Sequence, residues 1–491
     1  MKRIKTSVLL TIGSIFAAIS FSACSDDFDS TEQASIPSSS SYPVSDVHVM
    51  ASGYVRTISN TKALGHSNIN ELKPEDFIIT PVSEAEVKGL NTGEAGDDGS
   101  VIGVYKWGTL LYRCKTADGT QRDLSELIVW PYGVFKEATP SQLVIGCHST
   151  ITSDEQRPTN FSNMSSLGEI NMLALFSSAL SQKALVIVPD YEGYGSTADI
   201  PHPYCNRELT AEQVVTGVKA GLSWFEDQVT KMDDNWSAVS IGYSQGGAVS
   251  AGVLRYCQEH GESSLRLKGA VDTDNDMQAA GCTYQDFVTD KFYQTGIFDM
   301  IKNKQKTTDD IQAALLDHSL MFGDDGGFVM KAMTSEGFFP YTQKNLVDSC
   351  SGKKRDFKLE NGRGFNYCTV DQCLKPGVIA YFRDGTITGE VPEAKLKALE
   401  NSLAKNALTA DHFMPGRGFT FFHSTGDEVV PYCNLESVRN TWGVDGIKLL
   451  SFESYFQLHV ATGTLFFTWY CGSLVDEILN DKWTPSEQVV G

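Results

Sequence analysis

Residues 237–247 read SAVSIGYSQGG, and this stretch decides the fold. Its first half alternates apolar with small or polar residues, which predicts a strand that ends at the pattern Gly242-x-Ser244-x-Gly246. The small residues that follow, at 247–252, predict a helix packed closely on that strand. Glycine on either side lets a tight turn close between strand and helix, so Ser244 is the candidate nucleophile.

Other segments predict the sheet around this turn. Short apolar runs at 127–130, 143–146 and 184–188 are typical of strands buried on both faces. Thr210 and Gln213 match a capping box at the start of a helix with apolar residues at helical spacing. The alternation predicts an α/β fold with a mostly parallel central sheet flanked by helices.

One long segment breaks this alternation. Residues 283–415 are rich in helical signals, including Pro392 at the first turn of a helix, and the strand pattern resumes at Phe419. We interpret this segment as a helical cap inserted into the core, with a separate domain as the alternative. Near the other end of the chain, residues 93–103 are typical of a loop. The predicted boundaries are a signal peptide at 1–23, a tether at 24–47, an N-terminal extension at 48–103, the first part of the core at 104–282, the cap at 283–415 and the second part of the core at 416–491.

A serine nucleophile needs a histidine base, which follows the serine and the acid in chains with this type of turn. The histidines after Ser244 are His260, His318, His412, His423 and His459. His459 follows the last predicted core strand and precedes the final helix, so we predict it as the base. His423, at the end of an earlier strand, is the main alternative.

The acid should follow the strand before the histidine. Asp427 lies in a Gly-Asp turn directly after residues 419–423, and we predict it as the acid that orients His459. Its neighbour Glu428 is an alternative. A further set of alternatives follows the strand 267–271, namely Asp272, Asp274 and Asp276.

A tetrahedral intermediate also needs main-chain N–H donors for its oxyanion. One donor is expected from Gln245, the residue after the nucleophile. The other is expected from the loop after residues 143–147, at Ser149 or Thr150, and the sequence does not separate these two.

Three motifs carry a family resemblance. GYSQGG at 242–247, PDYEGYG at 189–195 and GDEVVPY at 426–432 resemble segments of secretory lipases of the fungal type and their bacterial relatives. The resemblance implies an α/β-hydrolase fold, a lid-like helical cap, hydrolysis of carboxylic esters and a Ser244, Asp427 and His459 triad. It also implies that the loop at 190–191 lies beside the active site. The chain departs from the family in one place, where His-Ser-Thr replaces His-Gly-Thr at 148–150.

The first residues resemble an export signal. Three basic residues precede a short apolar segment at 7–20, which is too short to span a bilayer. The sequence at 21–24, FSAC, resembles a bacterial lipobox and predicts cleavage before Cys24 and acylation of its thiol, with an ordinary signal peptide as the alternative. The acidic and Ser-rich residues that follow predict a flexible tether. We therefore expect an outer-membrane lipoprotein of a Gram-negative bacterium, attached to the membrane through Cys24. The acidic stretch after Cys24 resembles the surface-export signals of some Gram-negative lipoproteins, which implies exposure at the cell surface.

Charge and motif content exclude several functions. The formal net charge of −21 provides no basic footprint for nucleic acid. No Walker A, GxGxxG, HExxH or CxxC pattern occurs, so we expect neither a metal nor another cofactor. The 11 cysteines fit an exported chain, with Cys350, Cys368 and Cys373 as the best local candidates for disulfides.

The sequence therefore predicts an exported serine esterase or lipase whose partner is an ester substrate, such as an acylglycerol. An esterase acting on acylated polysaccharides and a serine peptidase of the same fold are alternatives, because fold alone does not select the substrate. A non-enzymatic binding lipoprotein is the alternative from another class.

Overall fold

The computed structural model describes the greater part of the predicted core. The described residues are 47–59, 80–89, 101–132, 139–149, 157–160, 184–200, 202–203, 207–273, 377, 380–381, 384–394, 396–397, 418–425, 432–453, 462–463, 466 and 470–490. The predicted signal peptide with Cys24, almost all of the tether and nearly all of the predicted cap lie outside them.

The described residues form 11 strands in one sheet, with helices between them. The strands are β1 (His48–Ser59), β2 (Thr80–Val82), β3 (Val101–Lys115), β4 (Gln121–Tyr132), β5 (Gln142–Cys147), β6 (Ala184–Pro189), β7 (Ser237–Tyr243), β8 (Leu267–Thr273), β9 (Gly418–Ser424), β10 (Lys448–Phe452) and β11 (Ser486–Val490). The helices are α1 (Glu84–Gly89), α2 (Arg207–Gln228), α3 (Gln245–Glu259), α4 (Cys433–Trp442) and α5 (Cys471–Leu479), and single 3-10 turns lie at Pro158–Asn160 and Gly195–Thr197.

The sheet has the order β11-β10-β9-β8-β7-β5-β6-β4-β3-β1-β2. Every neighbouring pair from β6 to β11 is parallel. The pairs from β6 through β4 and β3 to β1 and β2 are antiparallel. The structure thus confirms the predicted mostly parallel sheet, with an antiparallel segment along one side.

Alternate residues of the central strands face opposite layers. In β5, Leu143 and Ile145 pack in one apolar cluster with α2, α3 and α4, whereas Val144 packs in a second cluster with α5. Both faces of the strand are therefore covered, which explains why it reads as a continuous apolar run. The helices cover the sheet on its two faces, and the carboxyl ends of the parallel strands come together at one edge.

Two elements differ from the sequence prediction. Helix α2 begins at Arg207, so Thr210 lies inside the helix rather than at its cap. Gln213 does not complete a capping box, because its amide donates hydrogen bonds to the Lys115 carbonyl and the Glu192 carboxylate. The predicted loop at 93–103 was wrong for residues 101–103, which begin β3 and pair with β1.

The described pieces of the cap region are short. The Leu396 N–H donates to the Pro392 carbonyl over 3.3 Å, as in the first turn of the helix predicted there. Among the described helices, none combines the length and the apolar character that a membrane crossing needs. The cysteines at 114, 147, 257 and 471 are buried and form no disulfide among the described residues, whereas 350, 368 and 373 lie outside them.

Glu126 of β4 is a fully buried carboxyl group. Neither of its oxygens has a hydrogen-bond partner among the described residues, and Gly217 and Gly221 of α2 leave the space that it fills. A Cβ on Gly221 would lie 2.5 Å from Glu126 Oε1. Burial, followed by the nearby Asp190 charge, raises the pKa of Glu126 well above its ordinary value, so the group is held as a neutral acid.

We expect Glu126→Gln to make the protein more resistant to alkaline pH. Because the folded state raises the pKa of Glu126, the protonated carboxyl group contributes to the free energy of unfolding. This contribution is fully present below pH 4.5 and is lost as the pH rises through the folded-state pKa. The amide of the variant does not titrate. The thermal unfolding midpoint of the variant should therefore match the wild type near pH 4.5 and exceed it by about 2 °C or more at pH 8.

The matched control is Glu453→Gln, which changes an exposed carboxyl group after β10. Its midpoint should follow the wild type at both pH values. If the Glu126→Gln difference did not grow with pH, the carboxyl group of Glu126 would not be held neutral by burial.

Candidate active site

Ser244 lies in a sharp turn between β7 and α3. Its φ of 57° and ψ of −123° are rare for a residue with a side chain. Such a conformation costs of order 1–3 kcal/mol and persists only where the surrounding structure imposes it. Helix α3 begins at the next residue, and the Ser244 carbonyl accepts the N–H groups of Gly247 and Ala248. The structure thus places Ser244 in the strand-turn-helix that its sequence predicts.

Glycines at 242 and 246 make this turn possible. A Cβ on Gly242 would overlap the carbonyl group of Gly246, and a Cβ on Gly246 would overlap the carbonyl of Cys147. The latter Cβ would also lie 2.7 Å from the His148 carbonyl oxygen. Neither glycine has a positive φ, so the requirement is close backbone approach alone. The first turn of α3 therefore lies directly against the carboxyl end of β5.

This close approach brings the two candidate oxyanion segments together. Gln245 is the first residue of α3, where main-chain N–H groups have no partner within the helix. Ser149 follows β5 by two residues and is buried. The two predicted donors thus flank the Ser244 turn from α3 and from the end of β5. The third candidate, Thr150, lies outside the described residues.

An aromatic stack supports the second segment. The ring of His148 stacks on Tyr191 at a centroid distance of 3.9 Å, and the Tyr191 hydroxyl donates to the His148 carbonyl over 3.3 Å. His148 Nε2 lies 3.0 Å from the main-chain oxygen of Asp190, and Nδ1 lies 2.6 Å from that of Ser149. Burial lowers the pKa of His148 to about 4, and the two carbonyl contacts oppose this fall.

Asp190 anchors the loop after β6. It is fully buried, and its carboxylate accepts the Ser125 hydroxyl over 2.5 Å and the Thr159 N–H over 2.8 Å, as well as the Thr159 hydroxyl. Burial raises the pKa of Asp190 to about 6, and the hydrogen bonds from Ser125 and Thr159 oppose this rise. Asp190 therefore ties β4, the turn at 158–160 and the loop at 190–195 into one unit beside the Ser244 turn.

His202 is not among the site residues that the sequence predicts, since a base was expected only among the histidines after Ser244. It lies beside the Ser244 turn, with Nε2 2.5 Å from the amide nitrogen of Gln245. Its ring is parallel to that of Tyr191 at a centroid distance of 6.1 Å. The available signal was its position shortly after the loop at 189–195, which follows a buried strand in the predicted parallel part of the sheet.

The two other predicted triad residues, Asp427 and His459, lie outside the described residues, as does the alternative Glu428. The alternative base His423 is buried within β9, where its Nδ1 contacts the Ser424 carbonyl at 2.9 Å and its ring meets the edge of Tyr432. The parallel strands β7, β9 and β10 end at the same edge of the sheet. The segments that contain Asp427 and His459 in the sequence therefore begin at the edge where Ser244 follows β7.

One of the three alternative acids near the end of β8 lies among the described residues. Asp272 belongs to β8 itself, while Asp274 and Asp276 lie outside the described residues. Across the part of the chain that the structure describes, no three His, Cys, Asp or Glu side chains gather in a group that could hold a metal ion.

Comparisons with known proteins give structural matches. No family model matches the chain, and no curated protein sequence matches it. The rice cell wall degrading esterase LipA from Xanthomonas oryzae has a TM-score of 0.54 at 16% identity, covering 88% of this chain and 98% of that one. A protein from Legionella pneumophila described as a hydrolase has a TM-score of 0.50 at 14% identity, covering 88% and 96%. Together with the strand order, these matches show that the chain has an α/β-hydrolase fold.

We expect Gly246→Ala to destabilise the Ser244 turn. The added Cβ would meet main-chain carbonyl groups, which cannot move aside as a flexible side chain can. Overpacking of this kind costs about 1–3 kcal/mol or more. The measurement is the free energy of unfolding in urea.

Gly261→Ala is the matched control, because it lies just beyond the same helix and a Cβ there meets no atom within 4 Å. Because Gly261 has a φ of 62°, alanine there introduces backbone strain of about 1 kcal/mol but no steric overlap. The control therefore measures strain alone. A Gly246→Ala protein as stable as Gly261→Ala would contradict the steric argument.

Proposed function

We propose that this chain is an exported serine hydrolase that cleaves carboxylic esters through an acyl-enzyme intermediate. The observation that carries the proposal is the conformation of Ser244, whose positive φ places it in a strained turn directly before the N-terminus of α3. Strain of this kind concentrates at functional sites, where it holds a reacting group in position. The glycines at 242 and 246 impose the turn through the close approach of α3 to β5.

The proposed mechanism assigns each predicted residue a step. His459 accepts the proton of Ser244 Oγ as that oxygen attacks the acyl carbonyl, and then protonates the leaving alcohol. Asp427 orients the imidazole of His459 and stabilises its protonated form. Water then attacks the acyl-enzyme with His459 acting again as the base, which releases the acid and restores Ser244.

The oxyanion is proposed to accept hydrogen bonds from two main-chain N–H groups. One belongs to Gln245, and its position at the start of α3 adds the positive end of the helix dipole. The other belongs to Ser149 or Thr150. Desolvated donors that are already oriented lower the barrier to acyl transfer by several kcal/mol, because they need no rearrangement as the charge develops.

We expect Ser244→Ala to abolish hydrolysis of p-nitrophenyl esters by residues 25–491. Replacement of His459 or Asp427 by Asn should lower kcat by about 10³-fold or more, because each removes one member of the triad. A fluorophosphonate probe should label the wild type and leave Ser244→Ala unlabelled, since labelling requires an activated serine.

Ser263→Ala and His423→Asn serve as controls, the first at an exposed serine and the second at the alternative base. Both should retain kcat within about threefold of the wild type. A wild type without turnover or labelling would contradict the proposal and favour a binding protein, whereas loss of activity in His423→Asn alone would move the base to His423.

The ester class is decided by the substrate series. Acyl chains from acetate to palmitate, together with an acetylated polysaccharide and a peptide amide, separate a lipase from a short-acyl esterase, a polysaccharide esterase and a peptidase. A chain-length optimum at eight carbons or more would identify a lipase, and release of acetate from the polysaccharide at the highest kcat/KM would identify the polysaccharide esterase.

We further propose that acyl groups on Cys24 anchor the mature chain to the outer membrane. Several acyl chains hold a protein firmly, because each buried methylene contributes about 0.8 kcal/mol. Cys24→Ser should therefore move the protein from the membrane fraction to the soluble fraction of a Gram-negative host. An unchanged distribution would contradict the lipid anchor.

A further inference from the structure

His202 connects Gln245 to the loop that follows β6. Its Nε2 lies 2.5 Å from Gln245 Nε2, and its Nδ1 lies 2.7 Å from the main-chain oxygen of Glu192. The two contacts occupy both nitrogens of the ring. They join the first residue of α3 to a segment that is distant from it in the sequence.

The two partners determine the tautomer of the ring. A carbonyl oxygen can only accept a hydrogen bond, so Nδ1 carries the proton and donates to Glu192. In the neutral ring Nε2 then accepts, and the amide of Gln245 donates to it. Burial, with the nearby His148, lowers the pKa of His202 to about 4, so the neutral ring that this arrangement needs is present at pH 7.

The far end of this connection is firmly held. The Glu192 carboxylate accepts the Ala117 N–H over 3.0 Å and the Gln213 amide of α2 over 2.6 Å. Gly193, with a φ of 92°, lies so close to His202 that a Cβ would stand 2.5 Å from the Cα of His202. The loop that His202 contacts is therefore fixed to α2 and to the β3–β4 turn through Glu192.

Two sets of contacts hold the peptide group between Ser244 and Gln245. The peptide group that carries the Gln245 N–H follows Ser244, whose ψ of −123° lies outside the favoured wells. Local backbone preference does not hold this peptide plane, but its Ser244 carbonyl accepts the N–H groups of Gly247 and Ala248 inside α3. The hydrogen bond from the Gln245 side chain to His202 adds a second constraint, from outside the helix.

We infer that His202 is a positioning residue, which holds Gln245 so that its main-chain N–H stays directed at the oxyanion. The inference rests on the proposed function, since this orientation matters for a rate only if an oxyanion forms beside Ser244. His202 acts through Gln245 and takes no proton in the reaction.

The test compares two replacements of His202 in the full mature chain. Asn can keep the donor to Glu192 but is too short to supply an acceptor to Gln245, whereas Gln extends far enough to supply one. His202→Asn should lower kcat for p-nitrophenyl esters by about 10-fold with KM within twofold, because a misplaced oxyanion donor costs transition-state binding alone. His202→Gln should recover kcat to within about threefold of the wild type.

Gln245→Ala cuts the same contact from the other side and retains the main-chain N–H. It should lower kcat by a similar factor, and the double variant with His202→Asn should lose no more than either single variant. Losses that multiply to about 100-fold would show independent effects and overturn the inference. The matched control, His260→Asn at an exposed ring beyond α3, should stay within twofold of the wild type.

Thermal unfolding of each variant identifies one that fails to fold. If His202→Asn unfolds, the test compares Gln245→Ala with His202→Gln. A loss of kcat in Gln245→Ala together with a retained kcat in His202→Gln supports the inference. Unchanged kcat in Gln245→Ala overturns it. Wild-type turnover that does not depend on Ser244 overturns the proposed function and this inference together, whereas Ser244-dependent turnover unaffected by changes at 202 and 245 overturns the inference alone.

Discussion

The close approach of α3 to the ends of β5 and β7 is the constraint on which the rest of the site depends. At Gly242 and Gly246, main-chain atoms meet where any Cβ would overlap a carbonyl group. This contact forces the chain to reverse direction at Ser244 with a positive φ. It also places Gln245 beside the segment that follows β5. Strain at one residue is thus sustained by the packing of three elements.

Around this turn, the carboxyl edge of the sheet is built from desolvated polar groups whose charge states are set by burial. Asp190 is satisfied by hydroxyl and N–H donors, His148 lies between two carbonyl oxygens, and His202 is held as a neutral ring that donates to the Glu192 carbonyl. Burial lowers the pKa of both histidines to about 4. Buried groups with fixed partners need little reorganisation during a reaction, which is the property that a preorganised oxyanion site requires.

Local sequence patterns predicted some elements of the fold correctly and others wrongly, each for a physical reason. The apolar runs of β5 and β6 were confirmed as strands, because burial on both faces leaves a continuous hydrophobic signal. The capping box at Thr210 was wrong, because the Gln213 amide is used in a tertiary contact with Glu192. The strand β1 carried no usable signal, because all of its residues with described side chains are exposed or half-buried and it therefore lacks an apolar run.

The sequence by itself determined the strand-turn-helix around Ser244 and the mostly parallel sheet, because glycine spacing and apolar periodicity are local consequences of backbone sterics. Only the tertiary structure decided that His202 reaches Gln245, that Asp190 binds Thr159 and Ser125, and that Glu126 is buried beneath glycines of α2. These contacts join residues from separate elements that meet only when the sheet and its helices are assembled, and no local pattern encodes which polar side chains will then face one another.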